Sequence, residues 1–206
     1  MRSSIPAAMV ILLIVTTSAA LAFAQPTTQV SDADSLGAAL REGGYVIFFR
    51  HALEDGEDQN PVDLEDCDTQ QYLTDEGSAQ ARAIGEQFRT LGIPVGQVLS
   101  SQFCRAYETA VLAFGAPDVL DVLTPGGSLP PATREAQPNA IRRLLATPPE
   151  AGTNTILVSH NGVLNPITGV TVERAEGAIF APDGAGGFAL VTILGWDEWS
   201  DMALSD

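Results

Sequence analysis

The sequence predicts an α/β fold: a three-layer α/β/α sandwich around a mostly parallel central sheet, with an antiparallel hairpin strand near the C-terminus. Three features of the chain point there. Apolar β-type runs alternate with helical stretches, the pattern of a sheet covered by helices on both faces. Two runs, Tyr45-Val46-Ile47-Phe48-Phe49 and Thr155-Ile156-Leu157-Val158, are continuously apolar, as strands buried on both faces are. Pro182–Gly187 separates Ala178–Ala181 from Phe188–Leu194 as a hairpin turn would. With 206 residues, no internal repeat and no long linker, the chain reads as one domain after its leader.

The leader is residues 1–24. Arg2 precedes the apolar run Ala7–Val15, and small residues lead to Ala22-Phe23-Ala24 before Gln25-Pro26. That is the layout of a secretory signal peptide with an A-x-A cleavage site. An uncleaved membrane anchor is the rival, but the dense apolar part is shorter than the ~20 residues a span needs. Residues 25–206 are then an exported domain, secreted or periplasmic, with no stable membrane association once the signal is cleaved.

The elements follow in order. Ser35–Glu42 has apolar helical spacing and stops at Gly43-Gly44. The strand Tyr45–Phe49 ends at Arg50-His51, and Ala52–Asp68 is a long acidic loop. Thr74 is an N-cap, with Asp75 and Glu76 in the first turn of a helix running to about Thr90 and stopped by Gly92-Ile93-Pro94. Val98-Leu99 is a short strand, Arg105–Phe114 a helix, and Val119–Leu123 another strand. After the Pro/Gly loop Thr124–Pro131 comes a helix over Arg134–Ala146, broken by Pro148-Pro149. The strand Thr155–Val158 ends at Ser159-His160, and the hairpin closes the sheet.

Composition excludes several functions. Ten basic residues, all Arg, stand against 26 acidic ones, a formal net charge of −16. Nucleic-acid binding needs a basic surface, and so does adhesion to an anionic membrane; both are disfavoured. The same charge repels anionic ligands at long range, so an anion site has to be a local exception. Two Cys and two His, with no C-x-x-C or H-x-x-x-H spacing, do not make a zinc framework.

The two His share one context: each follows a buried-type strand, as His51 and His160. Open α/β sheets bind ligands beyond the carboxyl ends of their strands. A third strand end leads into Ser100-Ser101-Gln102-Phe103-Cys104-Arg105, which puts Arg105 at a helix start. A lone His at a strand end is more often a hydrogen-bonded structural residue, and Arg50 alone suits an ion pair. The shared context of two His and two Arg favours phosphoryl transfer, in which an imidazole attacks phosphorus while Arg forks hold the oxygens.

At these residues the chain resembles the histidine phosphatase superfamily, in its phosphoglycerate mutase-like branch with small exported bacterial phosphatases. Arg50-His51-Ala52 is similar to the family's Arg-His-Gly, and Leu73-Thr74-Asp75-Glu76-Gly77 to its L-T-x-x-G. Ser100–Ala110 resembles S-S-P-x-x-R-A-x-x-T-A, and Val158-Ser159-His160-Asn161-Gly162 the second-His motif, with Glu176-Gly177-Ala178 fitting before the last strands. The resemblance implies His51 as the nucleophile that becomes phosphohistidine. It implies Arg50, Arg105 and His160 as the phosphate pocket, no metal or other cofactor, and a small phosphorylated substrate or a phosphoprotein as partner. Ala52 and Asn161 stand where Gly is common, and Ala52 is expected to restrict the loop.

The proton-donating carboxylate of the broad phosphatases is not evident in Leu123–Ser128; Glu135, Asp121 and Glu54 are the candidates by spacing. Without an acid, substrates with good leaving groups are favoured. Two alternatives stay open: a pseudoenzyme of the same fold that binds phosphate or a phospho-ligand without turnover, and a mutase. Cys67 and Cys104, the only pair in an exported chain, are expected to form a disulfide.

Overall fold

The computed structural model describes residues 33–203; residues 1–24, read from the sequence as a signal peptide, lie outside them. In chain order the elements are helix α1 (Ala33–Glu42), strands β1 (Val46–Arg50), β2 (Glu54–Asp55) and β3 (Tyr72–Leu73), helix α2 (Asp75–Leu91), strand β4 (Val95–Ser100), helix α3 (Cys104–Phe114), strand β5 (Asp118–Val119), helix α4 (Pro131–Ala146), strand β6 (Asn154–Ser159), helix α5 (Asn161–Thr168), and strands β7 (Gly177–Pro182) and β8 (Phe188–Leu194). A short 3-10 segment, Glu198–Ala203, follows.

The central sheet has the order β5-β4-β6-β1-β7-β8. The β5–β4, β4–β6 and β6–β1 pairs are parallel, and β7 runs antiparallel to both β1 and β8. This is the mostly parallel sandwich the sequence predicts. Alternation along the buried strands divides the core in two. Ile47, Phe49, Ile156, Val158 and Ile179 face α1, α2 and α3, where Trp199 of the C-terminal segment fills the gap against Phe49 and Phe88. Val46, Phe48, Leu99, Leu157 and Phe180 face α4 and α5 with Ile141, Leu145 and Leu164. Two covered faces explain why β1 and β6 are continuously apolar.

Helix α2 begins where its cap is read: Thr74 Oγ1 accepts the Gly77 N–H at 2.9 Å, and Gly92 ends the helix at φ 66°. Gly85 lets α2 approach α3 so closely that a Cβ there would overlap the Ala113 carbonyl. Buried Asn154 joins three elements, donating to the carbonyls of Leu40 and Pro94 and accepting the Tyr45 N–H.

Several local readings need correction. Val119–Leu123 is not a strand: only Asp118–Val119 pairs, and Asp121–Leu123 is a 3-10 turn that drives Leu123 into the core. Helix α4 starts three residues earlier than read, because Pro131 suits a first helical position. Helix α5 was not legible, being short and carrying Pro166 inside it. The acidic loop is organised: β2 and β3 pair as a ribbon, and Cys67–Thr69 forms a 3-10 turn.

Cys67 and Cys104 are disulfide-bonded, as expected, with Cα atoms 5.8 Å apart and 37 positions apart in sequence. The bond fastens the acidic loop to the start of α3. A Cys67→Ser/Cys104→Ser variant should lose up to about 4 kcal/mol of stability by the chain-entropy argument. Urea unfolding measures this; an unchanged midpoint would mean that the loop is closed equally well without the bond.

Candidate active site

Parallel pairing of β1 with β6 sets Arg50 beside Ser159, so the residues leaving the two strands, His51 and His160, are neighbours. The His51 N–H donates to the Ser159 carbonyl at 3.0 Å and fixes the exit of β1. The two imidazole rings lie 4.9 Å apart, both buried. On the other side of β6, the Ser101 N–H donates to the Val158 carbonyl, which carries the chain from β4 towards Arg105 at the start of α3. All four residues singled out in the sequence therefore converge at the carboxyl edge of β1, β4 and β6.

The hydrogen bonds of His51 define its chemistry. Nδ1 lies 3.0 Å from the Ala52 carbonyl oxygen and 3.3 Å from Glu54 Oε2. A carbonyl can only accept, so Nδ1 carries the hydrogen and Nε2 presents its lone pair. His160 Nε2 lies 3.0 Å from Ser101 Oγ. Ser101 Oγ in turn accepts the Phe103 N–H at 3.2 Å and lies 3.4 Å from Thr124 Oγ1, to which its hydroxyl donates. Burial, reinforced by the charges of His51, Arg105 and Arg50, holds the His160 pKa well below the usual histidine range, so this ring is neutral.

The cations are arranged unequally. Arg105 is buried and lies 4.3 Å over the Phe103 ring. Its Nη1 and Nη2 donate to Asp58 at 2.9 and 3.2 Å, while its Nε is buried without a partner. Arg50 is half-buried and spends only a 3.5 Å bond on the Val172 carbonyl. Burial and the neighbouring Arg174 charge lower its pKa, the signature of cations crowded together without enough anion. Arg50 and Arg105 thus supply the local positive exception that a −16 chain requires.

The departures from the family pattern are accommodated. Ala52 does not have the positive φ that would demand glycine, since Ala175 is the one non-glycine with positive φ among the described residues. Its N–H donates to Thr109 Oγ1 of α3 at 3.0 Å, so the expected restriction at Ala52 is not met. Asn161 holds Val172 from both sides, donating to its carbonyl at 2.7 Å and accepting its N–H at 3.0 Å. That closes the segment after α5 over Arg50.

The candidate acids separate. Glu135 and Asp121 are exposed, on α4 and on the turn after β5. Glu54 reaches the site, with its side chain only 5% exposed, and takes Nε and Nη2 of Arg174 at 2.8 Å each. Burial alone would raise its pKa. The hydrogen bonds from His51 and Arg174, with their charges, outweigh burial and hold Glu54 well below the usual carboxylate range. Glu54 is therefore an ionised acceptor that orients His51, and it has no proton to donate. Asp58 and Arg174 were missed. Neither sits in a motif, and Asp58 is one acid among many in its loop.

A carboxyl whose folded pKa is depressed contributes stability that is complete above its unfolded pKa and is lost as pH falls through the folded one. Glu54→Gln should therefore destabilise the protein at neutral pH, with the deficit relative to wild type shrinking as pH falls below about 5. Urea unfolding of both proteins at several pH values checks this; a pH-independent deficit would contradict an ionised Glu54.

Comparison with known proteins finds a family model over part of the chain, one short sequence match and several structures of the same fold. The model of the histidine phosphatase superfamily (branch 1) matches residues 46–126. A curated relative, the mitochondrial serine/threonine-protein phosphatase Pgam5 of Drosophila virilis, is 36% identical over 66 residues, 32% of this chain. The match spans only a fifth of that relative's length (20%). Among solved structures, the protein histidine phosphatase SixA in complex with tungstate superposes with a TM-score of 0.53 at 16% identity, covering 74% of this chain and 97% of the other. A phosphoserine phosphatase variant from Entamoeba histolytica, in complex with phosphoserine, gives 0.51 at 15% identity, with 75% and 98% covered. The Arg50-His51 and Arg105 motifs lie inside the segment that matches the model of the histidine phosphatase superfamily, branch 1, and over that segment the chain is similar to this family.

Proposed function

We propose that this protein is a metal-independent phosphatase that hydrolyses phosphomonoesters or phosphoramidates through a phosphohistidine on His51. The observation that carries the reading is the commitment of His51 Nδ1 to two acceptors, which leaves Nε2 as a nucleophile beside Arg50 and Arg105. Nε2 attacks phosphorus, the bond to the leaving group breaks, and the P–N bond forms. The Arg forks and the neutral His160, able to take a proton as negative charge arrives, hold the phosphoryl oxygens. Water then attacks the phosphohistidine, and the electron pair returns to Nε2.

Proteins of known activity on this fold include a protein histidine phosphatase and a phosphoserine phosphatase, so both a small phosphorylated molecule and a phosphoprotein are candidate substrates. The leader-like residues 1–24 and the Cys67–Cys104 bond support action after export, in a secreted or periplasmic setting.

p-Nitrophenyl phosphate, whose leaving group needs no proton, is the first substrate to test. Wild type should turn it over in the presence of EDTA, and His51→Ala should lose about 10³-fold or more. A wild type as silent as His51→Ala would replace this reading with a phosphate-binding protein that does not turn over.

A further inference from the structure

We propose that Asp58, from the disulfide-tied acidic loop, is the acid that protonates the leaving group, and that it shares Arg105 with the phosphoryl group of the substrate. The inference rests on the phosphatase reading of the His51 site and supplies the group that reading lacks.

The structure builds Asp58 into place. Its carboxylate forks both Nη atoms of Arg105, and Oδ1 also accepts the Gln71 N–H at 2.8 Å. The surrounding segment is cross-braced: the Gln59 N–H reaches the Thr69 carbonyl, Gln71 Nε2 reaches the Gly56 carbonyl, and Gln70 Oε1 accepts the Cys104 N–H. The Cys67–Cys104 bond closes the same unit onto α3, one residue before Arg105. Such bracing is more than an incidental surface ion pair requires. Arg105 itself is left half-used: its Nε is buried and unpartnered, which leaves a donor for an oxygen that Asp58 does not supply.

Charge then decides the protonation of Asp58. In the free protein one carboxylate faces one guanidinium. Arg105 itself acts on Arg50 and His160, Arg50 also feels Arg174, Glu54 and Glu173, and the loop that carries Asp58 adds Glu57, Asp63, Asp66 and Asp68. When a phosphate dianion takes its place on Arg105, two anions compete for one fork, and the like charge favours the neutral acid. A proton taken up by Asp58 on binding is held at the site of reaction.

The step balances. His51 Nε2 forms the bond to phosphorus, the P–O bond breaks towards the leaving oxygen, and that oxygen takes the Asp58 proton. The products are phosphohistidine, a neutral alcohol and the Asp58 carboxylate. In the second half that carboxylate accepts a proton from the attacking water, and the P–N bond breaks back to Nε2. Poor leaving groups, as in alkyl phosphates, are then within reach, contrary to the good-leaving-group preference expected from a chain without an acid.

Asp58→Asn keeps the shape of the side chain and removes its proton. In full-length protein, kcat/KM for an alkyl phosphate such as glycerol phosphate should fall roughly 10²-fold further than kcat/KM for p-nitrophenyl phosphate. Sulfate, a dianion that does not titrate in this range, gives a readout apart from turnover. Calorimetric titration in two buffers of different ionisation enthalpy should show wild type taking up more protons than Asp58→Asn at mildly acidic pH. Equal losses on both substrates, a gain on both, or identical proton uptake by the two proteins would each overturn the proposal. An active wild type with an unselective Asp58→Asn overturns this assignment alone, whereas a wild type inert on both esters overturns the phosphatase reading itself.

Discussion

The parallel pairing of β4, β6 and β1 is the constraint on which the rest depends. Three adjacent strands running the same way end at one edge, and their last residues cannot be far apart. Arg50 beside Ser159, and Ser100 beside Val158, are register facts before they are functional ones. The continuous apolar character of β1 and β6 secures that register, because both faces are buried and a slip would exchange Phe48 and Phe49 between two differently shaped halves of the core. The imidazole pair is thus held by backbone bonds and core packing, and side-chain contacts refine a position already given.

Around that frame, the polar groups divide the work by charge. The orienting groups of the two rings differ in kind: an anion and a carbonyl at Nδ1 of His51, a hydroxyl at Nε2 of His160. The first keeps a hydrogen on the far side of the ring and an electron pair on the near side. The second leaves a buried ring neutral among cations. Two imidazoles of the same intrinsic basicity are given different tasks by their surroundings. Glu54 is central to this division because it also neutralises Arg174, which would otherwise add another uncompensated cation beside Arg50.

The fold and the convergence of Arg50, His51, Arg105 and His160 were legible because they rest on strong local signals: buried-type strands, a Thr cap, and polar residues placed right at strand ends. What escaped has physical reasons. Helix α5 is short and interrupted by Pro166, so no periodicity develops. The stretch Val119–Leu123 has strand-like composition, but the sheet ends at Val119 and the backbone turns inward to bury Leu123. Asp58 and Arg174 act through tertiary partners 47 and 120 residues away, on Arg105 and Glu54 respectively, and nothing in their own neighbourhoods announces them. The effect of Ala52 was misjudged because a family preference for glycine is not by itself a demand for positive φ.

The C-terminal segment has a practical bearing. Both tryptophans of the chain, Trp196 and Trp199, lie within four residues of each other just after β8. Trp199 is fully buried against Phe49 and Phe88, on the face of the sheet covered by α1, α2 and α3. Intrinsic tryptophan emission is therefore a local gauge of how well this last segment is seated. It would register detachment of the tail from the strand that leads to His51 while the opposite half of the core, behind Phe48 and Phe180, stayed dark.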